Sequence, residues 1–429
     1  MAYLNGNYRE FTLDNGLLVA LQNTPTQTIA GRLRVHQGAL HEKTGEEGLA
    51  HFVEHTVMMG GTKNYSPKAA KEVQSRLGYL NALTNSSETR FPADMLTEDV
   101  ELYLDFVSDV VASPQFDEKI VEEERQMILR EVADRKSVPD YKDNKLFLEA
   151  LFGANSPHVY DVAGKEEVIA RATPDDLRKI HQRCYFAKNM DLVLVGGLPD
   201  NIEDTITEKF SALPAGENKK LVFPRNQPLG EAMIIHTSAP ELYNHENPPA
   251  SSAYFQLGFP ASTFGDPDHY AVMVLAQMLC GSSNSYLFQL LCRDMGLAYH
   301  VGGGYGFDNN AGYLHVSGKI NVSRIEEAMQ ATFFQMKSLQ EEDVPENPLK
   351  LMIRNAKYIM AKDLESNAGH INTIETKIDY DYTYEKFFSG IEKVTPNAVR
   401  EAAQKYLPAP DGKYVLLIRD PLRDSKTAS

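Results

Sequence analysis

The stretch from Leu213 to Pro228, Leu-Pro-Ala-Gly-Glu-Asn-Lys-Lys-Leu-Val-Phe-Pro-Arg-Asn-Gln-Pro, is rich in Pro, Gly and Lys and divides the 429-residue chain nearly in half. Such punctuation is a linker signal, and a chain of this length exceeds what one hydrophobic core usually supports. The two sides repeat each other in outline. On the first, Tyr8 to Val35 alternates apolar and polar residues around the turn Asp14-Asn15-Gly16, as in a hairpin. Helical patterns follow at 66–76 and 97–112, separated by a strand-like stretch from Tyr79 to Met95, then a charged helix from Asp117 to Arg135, a helix from Asp175 to Arg183 and a buried strand from Met190 to Val195. On the second come a strand at Ser252 to Phe259, helices at His269 to Leu279 and Ser285 to Asp294, strands near Tyr299 to Gly318, and long helices. The pattern predicts an α+β chain of two homologous domains, each a mainly antiparallel sheet packed with helices and related by internal duplication. The expected bounds are 1–215 and 231–429, with the linker at 216–230.

The first half carries the chemistry. Thr44-Gly45-Glu46-Glu47-Gly48-Leu49-Ala50 closes a loop and opens a helical run whose apolar members are Leu49, Phe52, Val53 and Val57. Within it stands His51-Phe52-Val53-Glu54-His55. Residues four apart stack one turn above each other, so His51 and His55 could reach one metal ion with Glu54 beside them. Two imidazoles and an oxygen ligand suit zinc, and H-x-x-E-H is the inverzincin order of a metalloprotease signature. A helix carrying surface histidines would give the same five letters, so the metal reading requires a third ligand. Glu131, on the charged helix, is the candidate, with Glu124 seven residues earlier on the same face. On spacing alone Glu131 reads first as one member of a solvated Glu/Arg face.

Composition narrows the classes. A net charge of −16 argues against nucleic acid or an anionic membrane as partner. Cys184, Cys280 and Cys292 are too few and too scattered for a disulfide framework or a cysteine zinc site. A reduced, cytoplasmic setting is the expectation, since the chain shows no signal, transit or transmembrane pattern. Gly302-Gly303-Gly304 lacks the Lys-Ser/Thr of a phosphate loop.

Several motifs in order resemble the pitrilysin, insulin-degrading enzyme and mitochondrial processing peptidase family. They are Gly48 to His55 with Gly60-Gly61-Thr62, Gly78-Tyr79-Leu80-Asn81-Ala82-Leu83-Thr84 with Thr89, Glu124 with Glu131, His158-Val159-Tyr160 with Gly164, Tyr185 with the strand to Gly196, and Gly296-Leu297-Ala298-Tyr299. The resemblance implies a zinc endopeptidase acting on unfolded peptides inside a chamber, with one zinc per chain held by His51, His55 and Glu131. Glu54 would be its general base and Glu124 a carboxylate orienting a ligand. Two neutral imidazoles and one carboxylate would leave the site at a net +1. Asn81 and Ala82 match the family's substrate-binding edge strand, although Asn81 also reads as a turn asparagine after Gly78. Tyr299 matches a tyrosine that reaches the scissile carbonyl from the second domain, where the zinc motif is missing. The arginine that accompanies it stands seven residues earlier in the family, and here that position is Cys292; the neighbouring Arg293 is offset by about 100° on a helix. The resemblance further implies a dimer, either of like chains or with an unlike homologous subunit that completes the site. The alternative function is a non-catalytic or partner-dependent subunit of a heterodimeric peptidase of the same fold.

Overall fold

The computed structural model describes residues 7–154, 156–217, 229–238, 252–307 and 311–421. Residues 218–228, most of the expected linker, lie outside the described residues.

The first unit is built on strands β1 (Tyr8–Thr12), β2 (Leu18–Asn23), β3 (Thr28–Val35), β4 (Tyr79–Leu80), β5 (Leu83–Thr84), β6 (Thr89–Leu96) and β7 (Met190–Gly196). Their order is β1-β2-β7-β3-β6-β4, with β5 also on β6, and only β2 and β7 run parallel. The predicted hairpin is the β1–β2 pair, Tyr8 opposite Gln22. β7 is buried along its whole length, as a central strand with both faces covered must be. Leu33, Leu192 and Leu194 point into the main core with Phe52, Val53 and Val57 of the helix Leu49–Met59. On the opposite face the small side chains Ala20, Ala30, Val193 and Val195 receive Ile371 and Ile374 of the helix Asn367–Tyr380.

The second unit repeats the plan with β8 (Met233–Ser238), β9 (Ser252–Pro260), β10 (Ala298–Phe307), β11 (Gly312–Asn321) and β12 (Val415–Asp420), in the order β10-β11-β9-β12-β8. Here too the last strand of the repeat pairs in parallel with an early one, β12 with β8 as β7 with β2. The likeness extends to backbone detail. Gly45 (φ 89°) and Gly265 (φ 82°) each turn the chain four residues ahead of a helix, Leu49–Met59 and His269–Cys280. Thr173 and Thr395 cap the helices Pro174–Cys184 and Pro396–Tyr406 through their hydroxyls, each followed by proline. Aligned on the helix start, His51, Glu54 and His55 correspond to Ala271, Val274 and Leu275, all buried. The duplicated helix fills its core in the second repeat and carries no ligands.

The compact units depart from chain order in one respect. The segment Lys136–Val159 belongs to the second unit and Met360–Lys386 to the first. Each holds a 14-residue helix, Pro139–Phe152 and Asn367–Tyr380, at equivalent places in the two repeats. Phe147 and Leu151 of the former pack on Val415 and Leu417 of β12, and Gly258 leaves room for Phe147, whose ring would lie 2.2 Å from a Cβ there. Bounds at 215 and 231 cannot express this exchange, because an apolar stripe declares that a helix face is buried and not which sheet buries it.

Candidate metal centre

The helix Leu49–Met59 starts at Gly48 in a left-handed conformation, φ 96°, with no capping side chain of its own. Glu42 supplies the missing acceptors: its carboxyl oxygens take the N–H groups of Gly48 at 2.9 Å and Ala50 at 2.7 Å, while burial pushes the group up to about 8, so it serves the helix N-terminus through hydrogen bonds. Gly164 presses on the same turn. A Cβ on Gly164 would stand 2.2 Å from the Gly48 Cα, so both positions require glycine.

The helix Glu118–Ser137 buries Val121, Arg125, Ile128 and Val132, a stripe at helical spacing. Arg125 is the unexpected member. Its guanidinium lies 5.5 Å from the Phe52 ring centroid and donates to the carbonyls of Ile169 and Ala172. This docking fixes the helix's rotation, and with it the direction of Glu124 and Glu131, each one residue before a member of the stripe.

Those two carboxylates meet the histidines. Glu131 Oε2 is 3.8 Å from His51 Nε2 and 3.8 Å from His55 Nε2, and ligand atoms from all three residues lie within 4.8 Å of one another. Ligands about 2.1 Å from a tetrahedral zinc stand about 3.4 Å apart, so the two Glu131–histidine distances are within a few tenths of an ångström of that spacing, while the group as a whole, spanning up to 4.8 Å, would close further around an ion. The donor set, two imidazoles and a carboxylate on two packed helices, fits zinc. The other oxygen of Glu131 is held by Arg135 at 2.5 Å. His55 Nδ1 bonds Glu124 Oε2 at 3.0 Å, which orients the ring and leaves Nε2 for the metal. The two rings meet edge to face with centroids 4.7 Å apart.

Electrostatics follow burial and charge. Burial, then the charge of His55, pushes His51 down to about 4, so this imidazole is neutral and ready to ligate near pH 7. Burial also acts to lower His55, but the Glu124 hydrogen bond and the charges of Glu54, Glu124 and Glu131 outweigh it and raise its pKa. Glu54 is 7% exposed, and burial raises its pKa against the opposing pull of His55 and of the Thr84 hydroxyl, which donates to Glu54 Oε2 at 2.9 Å.

The remaining expected residues fall as follows. Asn81 and Ala82 connect β4 to β5; Asn81 is exposed and its backbone N–H donates to the Pro92 carbonyl at 3.1 Å, so it belongs to the pairing along β6, while Ala82 is buried. Tyr299 and Arg293 lie in the second unit. The β10–β11 register shifts between Ala298 and His300, leaving Tyr299 as the bulged residue, 89% exposed; bulges re-aim side chains in this way. Arg293 lies in a π-helical turn, Gln289–Asp294, in place of the expected regular helix, with its guanidinium 5.6 Å from the Phe288 ring centroid. Sequence reasoning missed the positioning parts played by Glu42, Thr84, Arg125 and Arg135. An arginine on an otherwise apolar stripe was the available signal for Arg125.

Comparison with known proteins agrees with the two-unit fold. Residues 18–155 match the family model described as Insulinase (Peptidase family M16), and residues 171–355 match the one described as Peptidase M16 inactive domain. The uncharacterized zinc protease YmxG of Bacillus subtilis is 25% identical over 83% of this chain and 85% of its own length. The uncharacterized zinc protease Rv2782c of Mycobacterium tuberculosis is 27% identical over 95% of this chain and 92% of its own. A protease from Helicobacter pylori superimposes with a TM-score of 0.84 at 19% identity, covering 96% of this chain and 99% of that one. A Pseudomonas fluorescens structure described as a peptidase M16 inactive domain gives a TM-score of 0.84 at 19% identity over 99% and 100% of the two chains. With both halves matched in order by models of one family, the chain belongs to peptidase family M16, as a two-domain member of the pitrilysin type.

Proposed function

We propose that this protein is a zinc-dependent endopeptidase that hydrolyses unfolded peptides, with one zinc per chain held by His51, His55 and Glu131. The observation that carries the reading is the convergence of those three ligand atoms within 4.8 Å beside a buried, unligated carboxylate, Glu54. Bound there, zinc would supply Lewis acidity, lowering the pKa of a water towards about 7 and polarising a peptide carbonyl. The protein's own groups do the rest. Glu124 holds His55 by Nδ1, and Arg135 holds Glu131 by Oε1. Thr84 orients the Glu54 carboxyl through its hydroxyl and its backbone N–H, and Glu54 would take the proton of the attacking water and return it to the leaving amine. Backbone groups around Asn81 and Ala82 would align an extended substrate by strand addition, which makes little demand on its sequence. Tyr299 would approach the scissile carbonyl, with Arg293 as its companion.

Metal analysis and a quenched-peptide assay test this reading together. Chelation should abolish cleavage, and one equivalent of zinc should restore it. A second reading, a subunit active only with a homologous partner, is favoured by Cys292 at the arginine position; a chain that takes up zinc yet cuts nothing until such a partner is added would support it. Full activity in an isolated homodimer would rule it out.

Replacement of Glu124 should act on the metal. Glu124→Ala removes the hydrogen bond on His55 Nδ1 and should weaken zinc binding about 10- to 100-fold. Competition against a chelating dye at fixed pH measures it, and unchanged affinity would remove Glu124 from the orienting part assigned to it.

Among the described residues no helix is long and apolar enough to cross a membrane.

A further inference from the structure

The geometry points to Thr84 as a positioning residue for the general base, one that ties the base to the strand that aligns substrate. This inference rests on the endopeptidase reading above. Thr84 lies on β5, two residues beyond Ala82 in the same short edge stretch. Its hydroxyl donates to Glu54 Oε2 at 2.9 Å and lies 3.0 Å from the hydroxyl of Thr89, which in turn donates to the Gln37 carbonyl at 3.0 Å. Thr89 faces Thr84 across the β5–β6 ladder, and its hydroxyl is anchored on backbone. The row Gln37–Thr89–Thr84–Glu54 therefore runs from the sheet to the reacting carboxylate without a mobile side chain in it.

The hydrogen count sets its direction. Each threonine has one hydroxyl hydrogen. With Glu54 as carboxylate, the Thr84 hydrogen belongs to Oε2, because an ionised acceptor outcompetes a neutral hydroxyl. Thr89 then chooses between Thr84 and the Gln37 carbonyl. Thr84 is thus the fixed donor that locks the Glu54 rotamer on a helix whose neighbouring residues are occupied with ligation. Because Asn81, Ala82 and Thr84 share one strand stretch, a peptide laid along that edge is placed by the same backbone that places the base. Orientation of this kind acts on the chemical step, since a misplacement of about 1 Å can lower a rate about 10²-fold.

Two near-isosteres separate the hydroxyl from the shape. Both keep the Thr84 backbone N–H that also reaches Glu54; Thr84→Val keeps the β-branched form and loses the hydroxyl donor, and Thr84→Ser keeps that donor and loses the methyl. We expect Thr84→Val to lower kcat about 10- to 100-fold with KM within about twofold, and Thr84→Ser to recover to within about threefold of the parent. The zinc isotherm from dye competition should be unchanged in both variants, and melting curves establish that both are folded. A Thr84→Val variant as fast as the parent, a Thr84→Ser variant as slow as Thr84→Val, or loss of zinc in either would overturn the inference. Parent and Glu54→Gln proteins run alongside distinguish this failure from that of the broader reading. If those two are indistinguishable, the endopeptidase reading fails and this inference with it; if the parent cleaves and Glu54→Gln does not, only the part assigned to Thr84 is in question.

Discussion

Glu54→Gln is expected to retain zinc and lose peptide cleavage by about 10²- to 10⁴-fold, the usual worth of a positioned general base. The substitution is nearly isosteric, and glutamine can still accept the Thr84 hydrogen bond through its carbonyl. It leaves untouched the three atoms that converge on the metal position, which belong to His51, His55 and Glu131. What disappears is a basic oxygen. The loss should therefore fall on kcat, with KM little changed, because substrate alignment along Asn81 and Ala82 does not involve this carboxyl. Burial raises the pKa of Glu54 from its ordinary value. Cleavage by Glu54→Gln at the parent rate, with zinc bound, would refute the assignment. Loss of zinc would place Glu54 among the ligands instead.

How far the sequence alone reached depended on whether the decisive contacts were local. His51 and His55 are legible because ligands at i and i+4 share a face by helix geometry alone. The β1–β2 hairpin is legible because Asn15-Gly16 lies between two alternating runs. Glu131 is a different case: helical spacing places it on a face with Glu124, but only the packing of two helices through Arg125 and Phe52 turns that face towards the histidines. The stretch from Tyr79 to Met95 has the composition of one strand yet folds as three, and the signal was present in Asn85, whose side chain accepts the N–H groups of Ser87 at 2.7 Å and Glu88 at 2.8 Å to make a turn. The π-helical turn at Gln289–Asp294 and the bulge at Tyr299 leave no compositional trace, since both are shifts of register. The helix exchange was illegible for a related reason. Asn367–Tyr380 has an apolar stripe suited to any flat sheet face, and its destination is settled by charges far away in sequence.

Those charges give the largest expected effect on stability. Arg34 is buried in β3 and pairs with Asp191 of β7 through two hydrogen bonds of 2.9 Å, with Glu88 at 3.3 Å, and with Asp379 of the exchanged helix at 2.8 Å. Glu375 of the same helix lies 3.5 Å away. Four carboxylates thus surround one guanidinium. Arg34→Met should destabilise the protein by about 3–5 kcal/mol at pH 7, the cost of leaving buried charge unpaired, as read by urea unfolding. The pH dependence fixes the cause. Burial alone would raise the pKa of Asp191, but Arg34 and His36 outweigh it and hold the carboxyl below its ordinary range. A depressed folded-state pKa contributes stability that is present above the unfolded value of about 3.9 and lost as pH falls through the folded value. Without Arg34 only His36 is left to oppose burial and the Asp191 pKa moves up, so part of the stability that its ionised form contributes near neutrality is lost. The deficit of the variant relative to the parent should therefore be greatest near neutrality and shrink as pH is lowered towards about 4. Amide exchange in Asn367–Tyr380 should quicken in the variant, because Asp379 loses its buried cation and Glu375 keeps only Arg32. An equal deficit at both pH values would mean that Arg34 acts through packing, and an unchanged exchange rate would mean that the helix is held on the sheet by its other contacts, Ile371 and Ile374, the Arg32–Glu375 and Lys377–Glu10 pairs and the Asn367 hydrogen bonds.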